Sequence, residues 1–125
     1  MGKAKLFLTI ACVVILFDAL ASLASRSLSF NYTNLIWVSL CLYLGSGYIG
    51  CKYHDFPTGV LAGTVAGLSD STIGWALSSA IGSNIMSDQP RHIPLSILIV
   101  IIIVTTTGTF FGLLGALLGR FVRSK

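Results

Sequence analysis

The chain has 125 residues, and its composition excludes an ordinary soluble domain. Hydrophobic residues make up 54% of it and charged residues only 10%, whereas soluble domains carry roughly 25% charged residues. The formal net charge is +4, and the basic residues are scattered at segment ends rather than clustered with aromatic residues. This distribution favours contact with anionic lipid over nucleic acid. The composition predicts an all-α integral membrane protein whose main partner is the lipid bilayer.

Four apolar runs are long enough to cross a membrane. About 20 helical residues span a hydrocarbon layer of ~30 Å, and lipid-exposed backbone must be helical because no water satisfies its polar groups. Short connections make consecutive helices antiparallel neighbours. The predicted spans are Leu6–Ser25, Leu35–Tyr53, Thr58–Ile81 and Leu95–Leu118. We therefore expect a single domain, residues 1–125, built as a polytopic antiparallel bundle of four transmembrane helices.

The basic residues also predict the orientation of these spans. Lys and Arg in short loops concentrate on the cytoplasmic side, so the more basic side is assigned to the cytoplasm. That side holds Lys3, Lys5, Lys52, Arg120, Arg123 and Lys125, and the other side holds Arg26 and Arg91. Both termini are therefore expected in the cytoplasm.

One alternative for the first span stays open. Its basic start, its apolar run and the small residues near its end are also typical of a signal peptide. Cleavage after Ala21 or Ala24 would leave three spans.

Glycines recur at helical spacing along the third and fourth spans. Gly59, Gly63 and Gly67 repeat every four residues, and steps of three or four continue the line through Asp70, Gly74, Ser78 and Gly82. Small residues on one face let two helix backbones approach closely in lipid. The predicted glycine-zipper positions are Gly59, Gly63, Gly67, Gly74, Gly82, Gly108, Gly112, Gly115 and Gly119. These faces predict tight packing of the two spans, either within one chain or between copies in a homo-oligomer.

Asp18 and Asp70 are the acidic residues that lie well inside a predicted span. Each is 12 positions from the cytoplasmic start of its span, which corresponds to ~18 Å of depth. An acidic residue near a helix centre costs ~2.5–3.5 kcal/mol on insertion scales, and apart from Lys52 at the end of the second span no Lys or Arg lies inside a predicted span. The two carboxyl groups, flanked by Ser71 and Thr72, are therefore a candidate proton or cation site. The alternative is a packing role, in which each acid bonds to a neighbouring helix and fixes its register.

The segment around Asp70 carries a recognisable string. Asp70, Thr72, Gly74 and Trp75, followed by Ser78 and Ile81-Gly82, spell D-x-T-x-G-W-x-x-S-x-x-I-G. This string resembles a pattern in small uncharacterised four-span bacterial membrane proteins. The resemblance implies a bacterial cytoplasmic (inner) membrane and carries no activity with it.

Three functions remain open at this point. No nucleophile, phosphate-binding or metal-ligand motif occurs, so we expect no enzyme, no cofactor and no metal site. The first hypothesis, which needs the fewest assumptions about individual residues, is a structural or accessory subunit. It would pack through its glycine faces in a larger membrane assembly or a homo-oligomer. The second is a small proton- or cation-linked transporter or channel using Asp70 with Asp18. The third is a holin-type pore former, suggested by small size and a short basic tail.

Overall fold

The computed structural model of the chain describes residues 1–82 and 94–124, which are helical apart from short turns and contain no strand. The elements are α1 (Lys3–Leu28), a 3₁₀ turn (Tyr32–Leu35), α2 (Ile36–Tyr53), α3 (Phe56–Ser69), a π-helical turn (Asp70–Gly74), α4 (Trp75–Ile81) and α5 (Pro94–Arg123). The all-α prediction is confirmed. The predicted connection between Gly82 and Pro94, which includes Arg91, lies outside the described residues.

Within the described residues, three helical stretches are long and apolar enough to cross a membrane. They are Lys3–Leu28, Tyr32–Tyr53 and Ile97–Arg123. The predicted span Thr58–Ile81 is helical along its whole length, but the π-helical turn divides it into two α-helices. The prediction of membrane-spanning helices is thus confirmed, by length and composition, for three of the four segments.

Local side chains fix where the helices begin and end. The Asp55 carboxylate accepts a hydrogen bond from the Thr58 backbone N–H at 2.8 Å and so caps the start of α3. Pro57 lies at the second helical position, where its missing N–H removes no intrahelical hydrogen bond. Gly82 ends α4 in the left-handed conformation with φ of 75°. Among the described residues an added Cβ at Gly82 would meet nothing within 4 Å, so no contact there supports the predicted packing role, and the observed role of Gly82 is to end the helix.

Polar contacts join the helix ends in two groups. The Lys3 ammonium lies 2.7 Å from the Asp55 carboxylate, and the Arg123 guanidinium donates to the His54 carbonyl at 2.9 Å. The start of α1, the turn between α2 and α3, and the end of α5 therefore lie together. At the opposite end of α1, Arg26 donates to the Ile81 carbonyl of α4 at 2.7 Å.

Helices α3 and α5 approach each other through paired glycines. A Cβ added to Gly108 would lie 2.7 Å from Cα of Gly67, and one added to Gly112 would lie 2.7 Å from Cα of Gly63. All four residues are buried. Because real Cβ atoms do not make such contacts, any larger side chain would force the two backbones apart. Of the two arrangements open from the sequence, the structure shows packing within one chain.

Helix α2 enters the same glycine contact. An added Cβ at Gly59 would lie 2.6 Å from the Gly47 carbonyl oxygen, and one at Gly119 would lie 3.0 Å from the Tyr48 carbonyl oxygen. Gly115 is closed off in the same way by the backbone of Leu44. The glycines of α2, α3 and α5 therefore form one contact in which three backbones meet.

The predicted line of small residues does not stay on one face. Gly63 and Gly67 face α5, whereas Gly74 and Ser78 face Asp18 and Ser22 of α1. The π-helical turn between them is the cause, because its hydrogen bonds reach back five residues rather than four, as from the Trp75 N–H to the Asp70 carbonyl. The extra residue rotates everything that follows, so the stripe serves two different neighbours.

Replacing Gly63 tests the glycine contact. We expect Gly63→Ala to destabilise the folded protein by about 1–3 kcal/mol, the usual cost of overpacking, because the new methyl would lie 2.6 Å from the Gly108 carbonyl oxygen. The matched control is Gly45→Ala on α2, where an added Cβ meets nothing within 4 Å; it should be neutral or stabilising by up to about 1 kcal/mol. Thermal unfolding in detergent micelles measures both. Equal effects of the two substitutions would contradict the close approach.

The acidic cap of α3 predicts a pH dependence. The Lys3 ammonium and the hydrogen bonds from the Thr58 hydroxyl and N–H hold the pKa of the Asp55 carboxyl well below its usual value of 3.8. A lowered pKa stabilises the folded state above pH ~4, and the stabilisation is lost as the pH falls toward the folded-state value. We therefore expect the Tm of the wild type to fall more steeply below pH ~4 than that of Asp55→Asn, which keeps a capping residue but does not titrate. Parallel Tm curves for the two proteins would contradict this assignment.

Candidate functional site

The buried face of α1 changes character halfway along the helix. Leu6, Ile10 and Val14 are buried in an apolar cluster with alanines of α3. The next two turns along the same line bury Asp18 and Ser22, both with 0% exposure. Since burial of unpaired polar groups is costly, the polar half of this face is where a function is expected.

Asp18 is fully enclosed but only half satisfied. Its Oδ1 accepts a hydrogen bond from the Tyr32 hydroxyl at 2.9 Å. Its Oδ2 is buried and has no hydrogen-bond partner among the described residues. This oxygen lies against Gly74 of the π-helical turn, where even a Cβ would overlap it. Gly74 therefore makes the space that the carboxyl group occupies.

Asp70 brings a second carboxyl group to the same place. It is the first residue of the π-helical turn and is half-buried. Its Oδ2 accepts a hydrogen bond from the Tyr43 hydroxyl of α2. The carboxyl groups of Asp18 and Asp70 are close enough to interact directly. The structure thus brings together the two acids that the sequence places at equal depth, and it does so at a π-helical turn, a feature frequent at functional sites.

The predicted hydroxyl partners of Asp70 lie elsewhere. The Thr72 hydroxyl donates to the Leu68 carbonyl of its own helix at 2.6 Å. The Ser71 hydroxyl donates to the same carbonyl at 3.2 Å and lies 3.5 Å from the Thr105 hydroxyl of α5. Neither hydroxyl is hydrogen-bonded to the Asp18 or Asp70 carboxyl group in the described residues, since each donates to a carbonyl of its own helix, as Ser and Thr do in helices.

Two tyrosines take the place of those hydroxyls, and sequence reasoning missed their role. Tyr43 is 3% exposed in the middle of α2, and a buried Tyr hydroxyl needs a partner. That requirement is the signal that could have found it, because a Tyr in the middle of an apolar span must reach a polar group if it is buried. Tyr32 lies before the second predicted span, and its contact with Asp18 depends on the 3₁₀ turn that leads into α2.

A cavity of about 270 Å³ reaches Asp70 from the side. It lies between the 3₁₀ turn with α2 on one wall and α5 on the other. Its mouth carries Ile36 and Ile103, which are 52% and 58% exposed. The lining residues are Tyr32, Thr33, Leu35, Ile36, Ser39, Leu40, Tyr43, Asp70, Ile103, Val104 and Thr107. None of them is basic, so the charge that the cavity presents is that of Asp70.

The two acids have no basic partner among the described residues. The salt bridge formed there joins Lys3 to Asp55 at the far end of α1, and Arg26 is engaged with the Ile81 carbonyl. Two buried carboxylates so close together would be strongly disfavoured, so the pair needs a proton or a bound cation. Two carboxyl groups and two phenol hydroxyls can hold either.

Comparison of the chain with protein-family models, curated proteins and solved structures found no match. The resemblance of the segment from Asp70 to Gly82 to small bacterial four-span proteins stays a prediction.

Removing one hydroxyl tests the pairing of the tyrosines with the acids. We expect Tyr43→Phe to destabilise the protein by about 1–3 kcal/mol, because the Asp70 carboxyl group loses its donor in a buried setting. The control Tyr53→Phe changes a tyrosine that is 66% exposed and should stay within about 0.5 kcal/mol. Chemical unfolding in micelles gives both values. A neutral Tyr43→Phe would mean that Asp70 does not depend on this hydroxyl.

Proposed function

We propose that the protein is a small proton- or cation-linked membrane transporter or channel whose ion site is the carboxyl pair Asp18 and Asp70. One observation carries this proposal: a fully buried carboxyl group with an unpartnered oxygen faces a second carboxyl group that reaches a cavity. Ionisable residues inside membrane segments are expensive and commonly mark ion pathways.

The proposal includes four membrane spans, with both termini in the cytoplasm of a bacterial cell. The continuous helical segment from Phe56 to Ile81 has 26 residues, or ~39 Å, enough to cross a bilayer. The helix ends that Asp55 and His54 tie together are also the basic ones, with Lys3, Lys52 and Arg123. This grouping supports placing that end at the cytoplasmic surface.

The site supports an exchange mechanism. Asp70 is the carboxyl group that lines the cavity, and Asp18 lies behind it, closed off by Gly74. A cation that arrives at Asp70 supplies the charge that the pair needs, so the proton held there can leave. When the cation departs, a proton must return. The Tyr32 and Tyr43 hydroxyls each donate to one acid and hold the two carboxyl groups in place through the exchange.

The accessory-subunit hypothesis remains the alternative. It was favoured in part by the glycine stripes, and the glycines of α3 and α5 pack against each other inside the chain, so they do not present a free face to another subunit. No observation in the described residues favours the holin-type pore.

Ion flux in liposomes tests the proposal. We expect Asp70→Asn and Asp18→Asn each to reduce proton or cation flux at least tenfold in reconstituted vesicles, because an amide cannot exchange a proton or balance a cation. The matched control is Asp55→Asn, the same substitution at an exposed turn, which should keep wild-type flux. Circular dichroism and elution volume must show that each variant folds.

Two results would contradict the proposal. One is full flux in both buried variants. The other is the absence of flux in the wild type together with migration of the native protein, gently extracted, as part of a much larger complex. The second result would restore the accessory subunit and make the aspartates packing groups.

A further inference from the structure

The cavity beside Asp70 has the dimensions of a small organic molecule. Its volume of about 270 Å³ is nearly twice that of a roughly 150 Å³ protein cavity that binds benzene. It lies just under the ~300–1,000 Å³ range of typical ligand pockets. A single aromatic ring with a compact head group fits this space, whereas a larger multi-ring molecule would not.

The walls of the cavity divide it into an apolar body and one charged end. Leu35, Leu40 and Val104 contribute aliphatic surface, and the mouth residues Ile36 and Ile103 continue it outward. The carboxyl group of Asp70 and the Tyr43 side chain stand at the inner end. A ligand that matches this wall needs an apolar body and a positive head.

The chemistry of the walls selects against other occupants. An anion would meet Asp70 without any basic side chain in the lining. A hard inorganic cation prefers six or more oxygen ligands converging on it. Apart from Asp70 and the two tyrosines, the lining offers the hydroxyl groups of Thr33, Ser39 and Thr107, which come from three different helical elements. A quaternary ammonium group is weakly hydrated and binds well to tyrosine rings, two of which, Tyr32 and Tyr43, line this cavity.

The position of the mouth fits a ligand that arrives through the membrane. Ile36 and Ile103 are exposed on the sides of helices that are apolar enough to span a bilayer. A cation with an apolar body partitions toward the lipid and can enter from there. A lipid acyl chain would also fit between the aliphatic walls, but it would not neutralise the charge of Asp70 at the inner end.

We infer that the cavity between the 3₁₀ turn with α2 and α5 binds a monovalent quaternary ammonium cation with a ring-sized apolar body, its charge against Asp70. This inference rests on the proposed function and names the substrate class of the same site. Asp70 is then shared, since the organic cation displaces the proton that otherwise neutralises the pair with Asp18.

Binding of benzyltrimethylammonium to the purified full-length protein in detergent micelles tests the inference. Titration followed by calorimetry or by NMR should give saturable binding. The neutral isostere neopentylbenzene, in which carbon replaces the nitrogen, should bind at least tenfold more weakly. Asp70→Asn should weaken binding of the cation at least tenfold and leave the binding of neopentylbenzene unchanged.

A pair of substitutions on α5 locates the site. Ile103→Trp enlarges a side chain at the cavity mouth and should weaken binding of the cation at least tenfold. Leu98→Trp is the matched control, because Leu98 is equally exposed at 58% but does not line the cavity. It should stay within twofold of the wild type.

The outcomes separate this inference from the proposed function. Equal affinity for the cation and its neutral isostere, insensitive to Asp70→Asn, would identify an acyl-chain site and overturn the inference. Absence of binding alongside proton or inorganic-cation flux that depends on Asp70 would also overturn it, while leaving the proposed function standing. Loss of that flux dependence is instead the failure of the proposed function.

Discussion

A carboxyl group buried among helices, without a basic side chain beside it, needs either hydrogen bonds to both oxygens or a neutralising ion. Asp18 has a hydrogen bond to one oxygen and none to the other. The neighbouring residues accommodate this buried carboxyl group. Gly74 leaves room for the carboxyl group, the π-helical turn brings Asp70 close to it, and two tyrosine hydroxyls each donate one hydrogen bond to one acid. The remaining oxygen of Asp18 is where the pair needs a proton or a cation.

The two halves of the helical assembly have different roles. In one half, glycines of α2, α3 and α5 bring three backbones together, and the apolar line of α1 covers alanines of α3. In the other half, the same faces carry Asp18, Ser22 and Ser78, and a cavity opens between α2 and α5. The π-helical turn lies at the boundary. Before the turn, Gly63 and Gly67 of α3 face α5. Within and after the turn, Gly74 and Ser78 face α1.

Sequence reasoning predicted the parts of this arrangement that depend on spacing within one helix. The equal depth of Asp18 and Asp70 follows from counting residues, and the glycine repeat follows from helical periodicity. The π-helical turn could not be predicted from the sequence, because it depends on the contacts that the segment makes with α5 on one side and with α1 on the other. That turn is why the line from Gly59 to Gly82 fails to stay on one face. Gly82 also shows that spacing alone does not separate a packing glycine from one that ends a helix.

The partners of the acids depend on contacts between helices, so sequence proximity misled the prediction. Ser71 and Thr72 are neighbours of Asp70 in the chain, but their hydroxyls return to the Leu68 carbonyl. Tyr43 comes from another helix, and no local pattern links it to Asp70.

The proposed function requires that Asp18 and Asp70 exchange protons with the aqueous phase. Infrared difference spectroscopy of the protein in lipid vesicles, recorded across a step in pH, tests it most directly. We expect a carboxyl C=O band that changes with the step and disappears in both Asp18→Asn and Asp70→Asn. A carboxyl band that persists unchanged over the whole pH range would show two permanently protonated packing groups and contradict the account.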